Sequence, residues 1–356
     1  MWSLEALGWN ARFAQAFAPL AGPGTVPGRV SLEHQHIYRV LTESGELLAR
    51  MAGRLRHEAA ASTGYPAVGD WVALGVRPGE VRATVEAILP RVSRFSRKVP
   101  GNASREQIVA ANVDTVFLVM GLDGDFNLRR IERYLVTAWE SGAQPVVLLT
   151  KADLVEEVSE RVGEIAAVAS GAPVHATSAK TGLGVDELSA YLDVGRTVAL
   201  LGSSGVGKST LINRLIGRDA QRTAAVSDYK SRGRHTTTRR ELIVRPEGGL
   251  VIDTPGMREL QLWQASGSID AAFTDIEALA AGCRFTDCRH VTEPQCAVRQ
   301  ATLDGALAPD RLESYLKLRK EAEHLGERQD QLAQIEKKRK WKLISKAVKQ
   351  IKPHRT

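Results

Sequence analysis

Cysteine is scarce in this chain. There are three in 356 residues, all between positions 283 and 296. That is too few and too clustered for a disulfide framework. No run of about 18 apolar residues occurs, so no membrane span is expected. The start, Met1-Trp2-Ser3-Leu4-Glu5, lacks a basic stretch followed by an apolar one. No leader peptide is therefore expected, and a cytoplasmic location is. No internal repeat is found. Acidic residues are missing from the end: Lys337 to Thr356 holds nine Lys/Arg and no Asp or Glu, more than the whole-chain net charge of +7. Such a tail reads either as a solvated end or as a contact with nucleic-acid phosphates. Trp341, Ile344, Val348 and Ile351 recur at helical spacing, which leaves Lys342, Lys346, Lys349 and Lys352 largely off that stripe.

What is present suits two or three domains: 356 residues, of which 43% are hydrophobic. Residues 1–34 read as a short helix and then a Gly/Pro loop, an N-terminal extension with little functional content. Residues 35–98 hold short alternating runs, such as Ile37 to Leu41 and Gly69 to Leu74, separated by turn residues. They predict a small closed β-barrel, of oligonucleotide-binding or SH3-like type. Arg91, Arg94, Arg97 and Lys98 at its exit fit a solvated linker and an RNA contact equally well. From 99 to about 270 strands and helices alternate. Val113 to Met120 is a continuous apolar run, as in a strand buried on both faces. A doubly wound α/β sheet is expected there. Residues 271–356 form the last part.

Within the α/β region, Gly202-Ser203-Ser204-Gly205-Val206-Gly207-Lys208-Ser209-Thr210 sits between a predicted strand and a predicted helix. That is the setting a phosphate-binding loop requires. Its glycines let successive amides turn inward, and the helix adds its positive end. Lys208 would reach the β- and γ-phosphates as a catalytic cation, and Ser209 would ligate Mg²⁺.

Thr150-Lys151-Ala152-Asp153 follows a buried strand, and Ser178-Ala179-Lys180 follows the next. Asp153 can accept from the N1 and N2 hydrogens of guanine, which adenine does not offer, and Lys151 can stack on the base. Position 150 is Thr where most GTPases have Asn; loss of that amide is expected to weaken guanine binding or loosen the loop.

Asp253-Thr254-Pro255-Gly256 ends another apolar strand. Asp253 would hold Mg²⁺ through water, and the Gly256 amide would contact the γ-phosphate. In Gly233-Arg234-His235-Thr236-Thr237-Thr238, spacing favours Thr237 over Thr236 for the Mg²⁺ shell. Met257 stands where many GTPases carry a water-positioning Gln, so His235 is the nearest candidate for that role; packing or a partner contact is its other reading.

The order is unusual. The guanine-reading motifs precede the phosphate loop, whereas ordinary GTPases run the other way. The same site in rotated order is a circular permutation, so the chain leaves the nucleotide domain just after the segment that senses the γ-phosphate.

Cys283, Cys288, His290 and Cys296 supply three thiolates and one imidazole, a complete tetrahedral set for one structural zinc with no position left for water.

Taken together, these motifs resemble the ribosome small subunit-dependent GTPase A family over nearly the whole chain. The resemblance implies a multidomain protein: an oligonucleotide-binding-type barrel, a central circularly permuted α/β GTPase and a mainly helical C-terminal zinc domain. It implies binding to the small ribosomal subunit and its rRNA, a role in late subunit maturation, and GTP hydrolysis stimulated by the subunit. A monomer with no membrane partner is expected. The rival is an RNA-binding zinc protein in which nucleotide is a structural ligand, which Met257 favours slightly and the complete Mg²⁺ and γ-phosphate set opposes.

Overall fold

The computed structural model describes residues 1–59, 64–77, 79–99, 102–217, 240–253 and 266–327, together with 338 and 341. A short helix, α1 (Ala11–Phe17), is capped by the Asn10 side chain and leads to five strands. These are β1 (Thr25–His34), β2 (Ile37–Thr42), β3 (Gly45–Met51), β4 (Trp71–Val76) and β5 (Arg82–Ile88). They close on themselves: β1 pairs with β2, β2 with β3, β3 with β5, β5 with β4, and β4 with β1. Of these pairings β3–β5 is parallel, and helix α2 (Gly53–Ala59) lies between β3 and β4 in the chain. This is the five-stranded oligonucleotide-binding barrel, which decides between the two types the strand pattern left open. Val30, Tyr38, Val40, Val72, Leu74 and Val85 fill it.

Strand β1 corrects the expected loop within residues 1–34. Pro27 and Gly28 look like turn signals, yet both lie in register opposite β4. A Cβ on Gly28 would meet Val40 Cγ1 at 2.6 Å and Leu74 Cδ1 at 2.8 Å. The glycine thus marks a close approach inside a strand. The N-terminal segment is also structural, since Trp9 meets the buried Trp71 ring edge-on at 4.7 Å and Phe13 lies beside it.

An antiparallel hairpin follows, β6 (Arg94–Val99) with β7 (Asn102–Ala111). It carries the chain across residue 98. Six further strands are β8 (Thr115–Gly121), β9 (Gln144–Thr150), β10 (Val174–Ala176), β11 (Thr197–Gly202), β12 (Glu241–Val244) and β13 (Leu250–Asp253). Their order is β10-β9-β8-β11-β13-β12. All neighbours are parallel except the β12–β13 pair.

β8 is buried at all seven positions. Its Phe117 and Val119 face α5 (Lys208–Ile216) with Leu211, Ile212 and Leu215. Val116, Leu118 and Met120 face α3 (Leu128–Ser141) and α4 (Val158–Val168), with Ile131, Leu135 and Ile165. Each such side chain contributes roughly 1.5–3 kcal/mol by leaving water. Between β10 and β11 lies a 3₁₀ segment, Asp186–Tyr191.

The chain ends, among the described residues, in α6 (Ser266–Ala272), α7 (Thr274–Ala280), α8 (Ala297–Leu303) and a long helix α9 over 309–327. Ile269, Phe273, Ile276, Val298, Tyr315 and Leu318 join the same core as α3.

The barrel meets the parallel sheet at one paired position, Leu32 opposite Glu241, and through Arg29. That buried guanidinium donates to the carbonyls of Leu7, Gly69 (3.3 Å) and Asn112 (2.9 Å), and to the Thr197 hydroxyl (2.8 Å). Burial pulls it down to about 10.

Candidate functional site

Parallel strands deliver their carboxyl ends to one edge of a sheet, where ligands bind. Here that edge collects loop 121–127 after β8, 150–153 after β9, 177–180 after β10 and 202–208 after β11. Asp253 ends β13 beside them.

The loop after β11 has the backbone of a phosphate cradle. Gly205 and Gly207 lie at φ +79° and +96°, and a Cβ on Gly202 would meet the Val119 carbonyl oxygen at 2.3 Å. Only glycine fits these positions without strain. Lys208 opens α5, and its ammonium donates back to the carbonyls of Gly202 (2.7 Å) and Ser203. Ser209 and Thr210 follow in the first helical turn. Ser204 is exposed at the tip and Val206 is buried beneath it.

Thr150 ties the two binding loops together. Its buried hydroxyl donates to the Val206 carbonyl at 2.6 Å, 56 residues away, with the Met120 carbonyl at 3.2 Å. The loosening expected from the missing Asn amide is therefore not seen; the hydroxyl anchors the loop.

Lys151 adopts the left-handed conformation (φ +60°) and pairs with Asp123. Burial raises the Asp123 carboxyl, but Lys151 and the Asp125 amide outweigh it and hold it below its ordinary value. Asp153 accepts from the Ser178 hydroxyl at 2.6 Å, and this bond, with Lys180 nearby, keeps it ionised below the usual carboxylate range. An ionised acceptor is what guanine's N1 and N2 hydrogens require. Ser178 is itself fixed, since its hydroxyl also accepts the Thr181 amide at 3.2 Å. The Ala152 amide donates to the Thr177 carbonyl at 3.1 Å, which locks 150–153 to the loop holding Ala179.

The structure thus brings together Thr150 to Asp153, Ser178 to Lys180 and Gly202 to Thr210. His235, Thr237, Gly256 and Met257 lie outside the described residues, as does nearly all of the basic tail; Trp341 is described and exposed. Loop 121–127 was missed from the sequence. Asp123 holds Lys151, and Asp125 pairs with Arg130, which donates to the Ser203 hydroxyl at 2.7 Å. Its position just past a buried parallel strand was the available signal.

The second site lies between α7 and α8. Ligand atoms of Cys283, Cys288, His290 and Cys296 all fall within 4.8 Å of one another. Cys283 and Cys296 sulfurs are 3.8 Å apart, and His290 Nδ1 is 3.6 and 3.4 Å from them. A tetrahedron with Zn–S of about 2.3 Å has sulfur–sulfur edges of about 3.8 Å, so the four residues fit one zinc. Burial lowers His290, favouring the neutral imidazole that binds metal. Glu293 shapes the loop: it accepts the amides of Arg289, Val291 and Thr292 at 2.9–3.1 Å, and these backbone bonds hold its carboxyl at about 2.

Comparison with known proteins follows this plan. Residues 88–263 match the model of the RsgA GTPase family, and 197–344 match one described as a 50S ribosome-binding GTPase. A protein of Opitutus terrae named "Small ribosomal subunit biogenesis GTPase RsgA" is 49% identical over 351 residues, 96% of each chain. One of Lactiplantibacillus plantarum, with the same name numbered 2, is 47% identical over 92% of each. The crystal structure of YjeQ from Thermotoga maritima superposes with a TM-score of 0.62 at 31% identity, covering 84% of this chain and 98% of that one. YloQ, described as a circularly permuted GTPase, gives 0.59 at 26%, covering 84% and 96%.

Proposed function

The chain belongs to the RsgA GTPase family and is a GTP hydrolase; on that premise we propose that it binds the small ribosomal subunit, assists its late maturation and leaves when GTP is hydrolysed. Relatives named as small ribosomal subunit biogenesis GTPases, 45–49% identical over most of the chain, support this reading. The observation that carries it is the Thr150–Val206 hydrogen bond, which joins guanine-reading and phosphate-binding loops that come in reversed chain order. Membership of a GTPase family also disfavours the reading of nucleotide as a structural ligand.

In this proposal Asp153 and Lys151 select guanine, with Ser178, Ala179 and Lys180 supporting them. The amides of residues 203–208 cradle the phosphates. Lys208 swings from the Gly202 and Ser203 carbonyls to neutralise charge that builds on the γ-phosphoryl oxygens. Mg²⁺, held by Ser209, Thr237 and Asp253, would supply further neutralisation of the β- and γ-oxygens. His235 orients the attacking water in place of Met257, and Gly256 reads the γ-phosphate. The zinc is structural, because three thiolates and His290 close its coordination. The barrel, the zinc module and the Lys/Arg-rich tail meet rRNA phosphates. The protein works in the cytoplasm as a monomer, and no helix among the described residues is long and apolar enough to cross a membrane.

The test is GTP turnover with and without purified small subunits, beside co-sedimentation in GTP and GDP states. Stimulated turnover and nucleotide-dependent co-sedimentation are expected. A turnover that ignores the subunit, with no co-sedimentation in either state, would remove the proposal.

A further inference from the structure

Helix α3 faces two ways. On one side it is clamped to α9, the helix that follows the Cys/His segment and α8. Glu132 is fully buried, pairs with Arg129 and accepts from Arg311 at 2.8 Å. Arg129 also reaches Asp310 at 3.0 Å, and Arg133 makes a two-pronged pair with Glu321, both contacts 2.7 Å. Arg311 continues to Asp275 through two contacts of 2.6 Å, and its guanidinium lies 4.7 Å from the centre of the Phe273 ring. One turn along α9, Tyr315 donates to Glu277 at 2.8 Å, and its ring centre lies 6.2 Å from that of the metal ligand His290.

Arg130, in the same turn of α3, serves the nucleotide edge instead. It pairs with Asp125 and donates to the Ser203 hydroxyl at 2.7 Å. Ser203 is therefore held by two cations, Lys208 on its carbonyl and Arg130 on its hydroxyl. When Lys208 turns to the phosphates, Arg130 is the contact that keeps residue 203 in place.

We infer that Arg130 is a positioning residue for GTP hydrolysis: through the Ser203 hydroxyl it sets the phosphate loop, and α9 sets Arg130 by clamping the helix that carries it. This rests on the reading of 202–210 as the phosphate loop. A helix is stiff, so a clamp one residue away fixes the stem of Arg130. One guanidinium nitrogen, Nη1, donates to both Asp125 and the Ser203 hydroxyl, so a single cationic donor joins the two. Small displacements of a cradle are felt most in the transition state, where alignment is strictest. The clamp at Glu132 and Arg311 is buried, and breaking it would strand a charge. The half-exposed Arg133–Glu321 pair offers the gentler perturbation.

The experiment is steady-state GTP turnover by the full-length, zinc-loaded chain, with a fluorescent GDP analogue reporting that each variant binds nucleotide. Arg130→Met and Ser203→Ala are each expected to lower kcat about tenfold with KM within about threefold, as loss of alignment does. The double variant should be no slower than either single one, and Arg130→Lys, which keeps one cationic donor for Asp125 and Ser203, should retain more turnover than Arg130→Met. Arg133→Met should lower kcat about threefold in the natural chain and have no further effect beside Arg130→Met, as coupled sites require. An Arg130→Met kcat within twofold of the natural chain overturns the inference, as do single effects that multiply in the double variant. Lys208→Ala separates the two levels. If it keeps turnover, the phosphate-loop reading fails. If it abolishes turnover while Arg130→Met is silent, only the positioning role fails.

Discussion

Thr150 and Val206 meet across 56 residues of chain, whereas Cys283, Cys288, His290 and Cys296 lie within fourteen. The two sites of this protein are assembled differently. The nucleotide edge consists mainly of backbone, presented where five parallel strands stop, and it exists only when the sheet does. The candidate metal site is four side chains within one short segment, and a bound ion would be its glue. Loop-closure entropy grows slowly with length, so the long-range site is affordable once the sheet's core has formed. The short-range site has little core of its own, and a bound zinc would supply folding free energy there.

Metal removal tests this contrast most strongly. Apparent zinc affinities of structural sites are worth about 10 kcal/mol or more, so chelation or Cys296→Ser should release one zinc per chain and expose residues 283–296 to protease. Nucleotide binding should survive. A chain that keeps its protease pattern without metal would show that the module stands on packing alone.

Next in size is Lys208→Ala. Removing a cation aimed at transition-state charge costs about 100-fold or more in kcat, while zinc content stays at one per chain. Turnover assays paired with metal analysis check both halves.

Arg29→Met probes the seam between barrel and sheet. It removes the donor to the carbonyls of Leu7 and Asn112 and to the Thr197 hydroxyl, while the Gly69 carbonyl keeps the Asn112 side-chain amide. A loss of about 3 kcal/mol in denaturant unfolding is expected, since each unpaired buried group costs about 1–3 kcal/mol and neighbours relax in part. An unchanged midpoint would mean the seam is held by apolar packing.

Thr150→Val keeps the volume and removes the tie between loops. About 1 kcal/mol, or roughly fivefold in GDP affinity, is expected by equilibrium titration. Unchanged affinity would place the tie outside the binding-competent state. The smallest effect concerns the tail. Deleting residues 337–356 should flatten the salt dependence of subunit binding, because fewer counterions are released, and leave GTP binding by the isolated chain as it was. An unaltered salt slope would make the tail a solvated end.

Much of this was legible from residues alone, for local reasons. The apolar run of β8 and the strand–Gly-rich loop–helix pattern at 197–216 each carry their own period or turn chemistry. What failed to show was non-local. β1 contains Pro27 and Gly28, whose reason is the approach of Val40 and Leu74 from other strands. Arg130 looks like any surface arginine until β8 and β11 lie side by side and set Ser203 against it.

By itself the sequence determined which chemistry is available. Residue types and short spacings name a phosphate cradle, a carboxylate for guanine and a Cys₃His set, because each is written in contiguous residues. Only the tertiary structure decided that Thr150 substitutes for the usual amide by reaching Val206, that the barrel closes through a parallel β3–β5 pair, and that α3 links α9 to the loop after β11. Those contacts join residues tens to nearly two hundred positions apart. Packing of the whole chain sets such distances, and no local pattern encodes them.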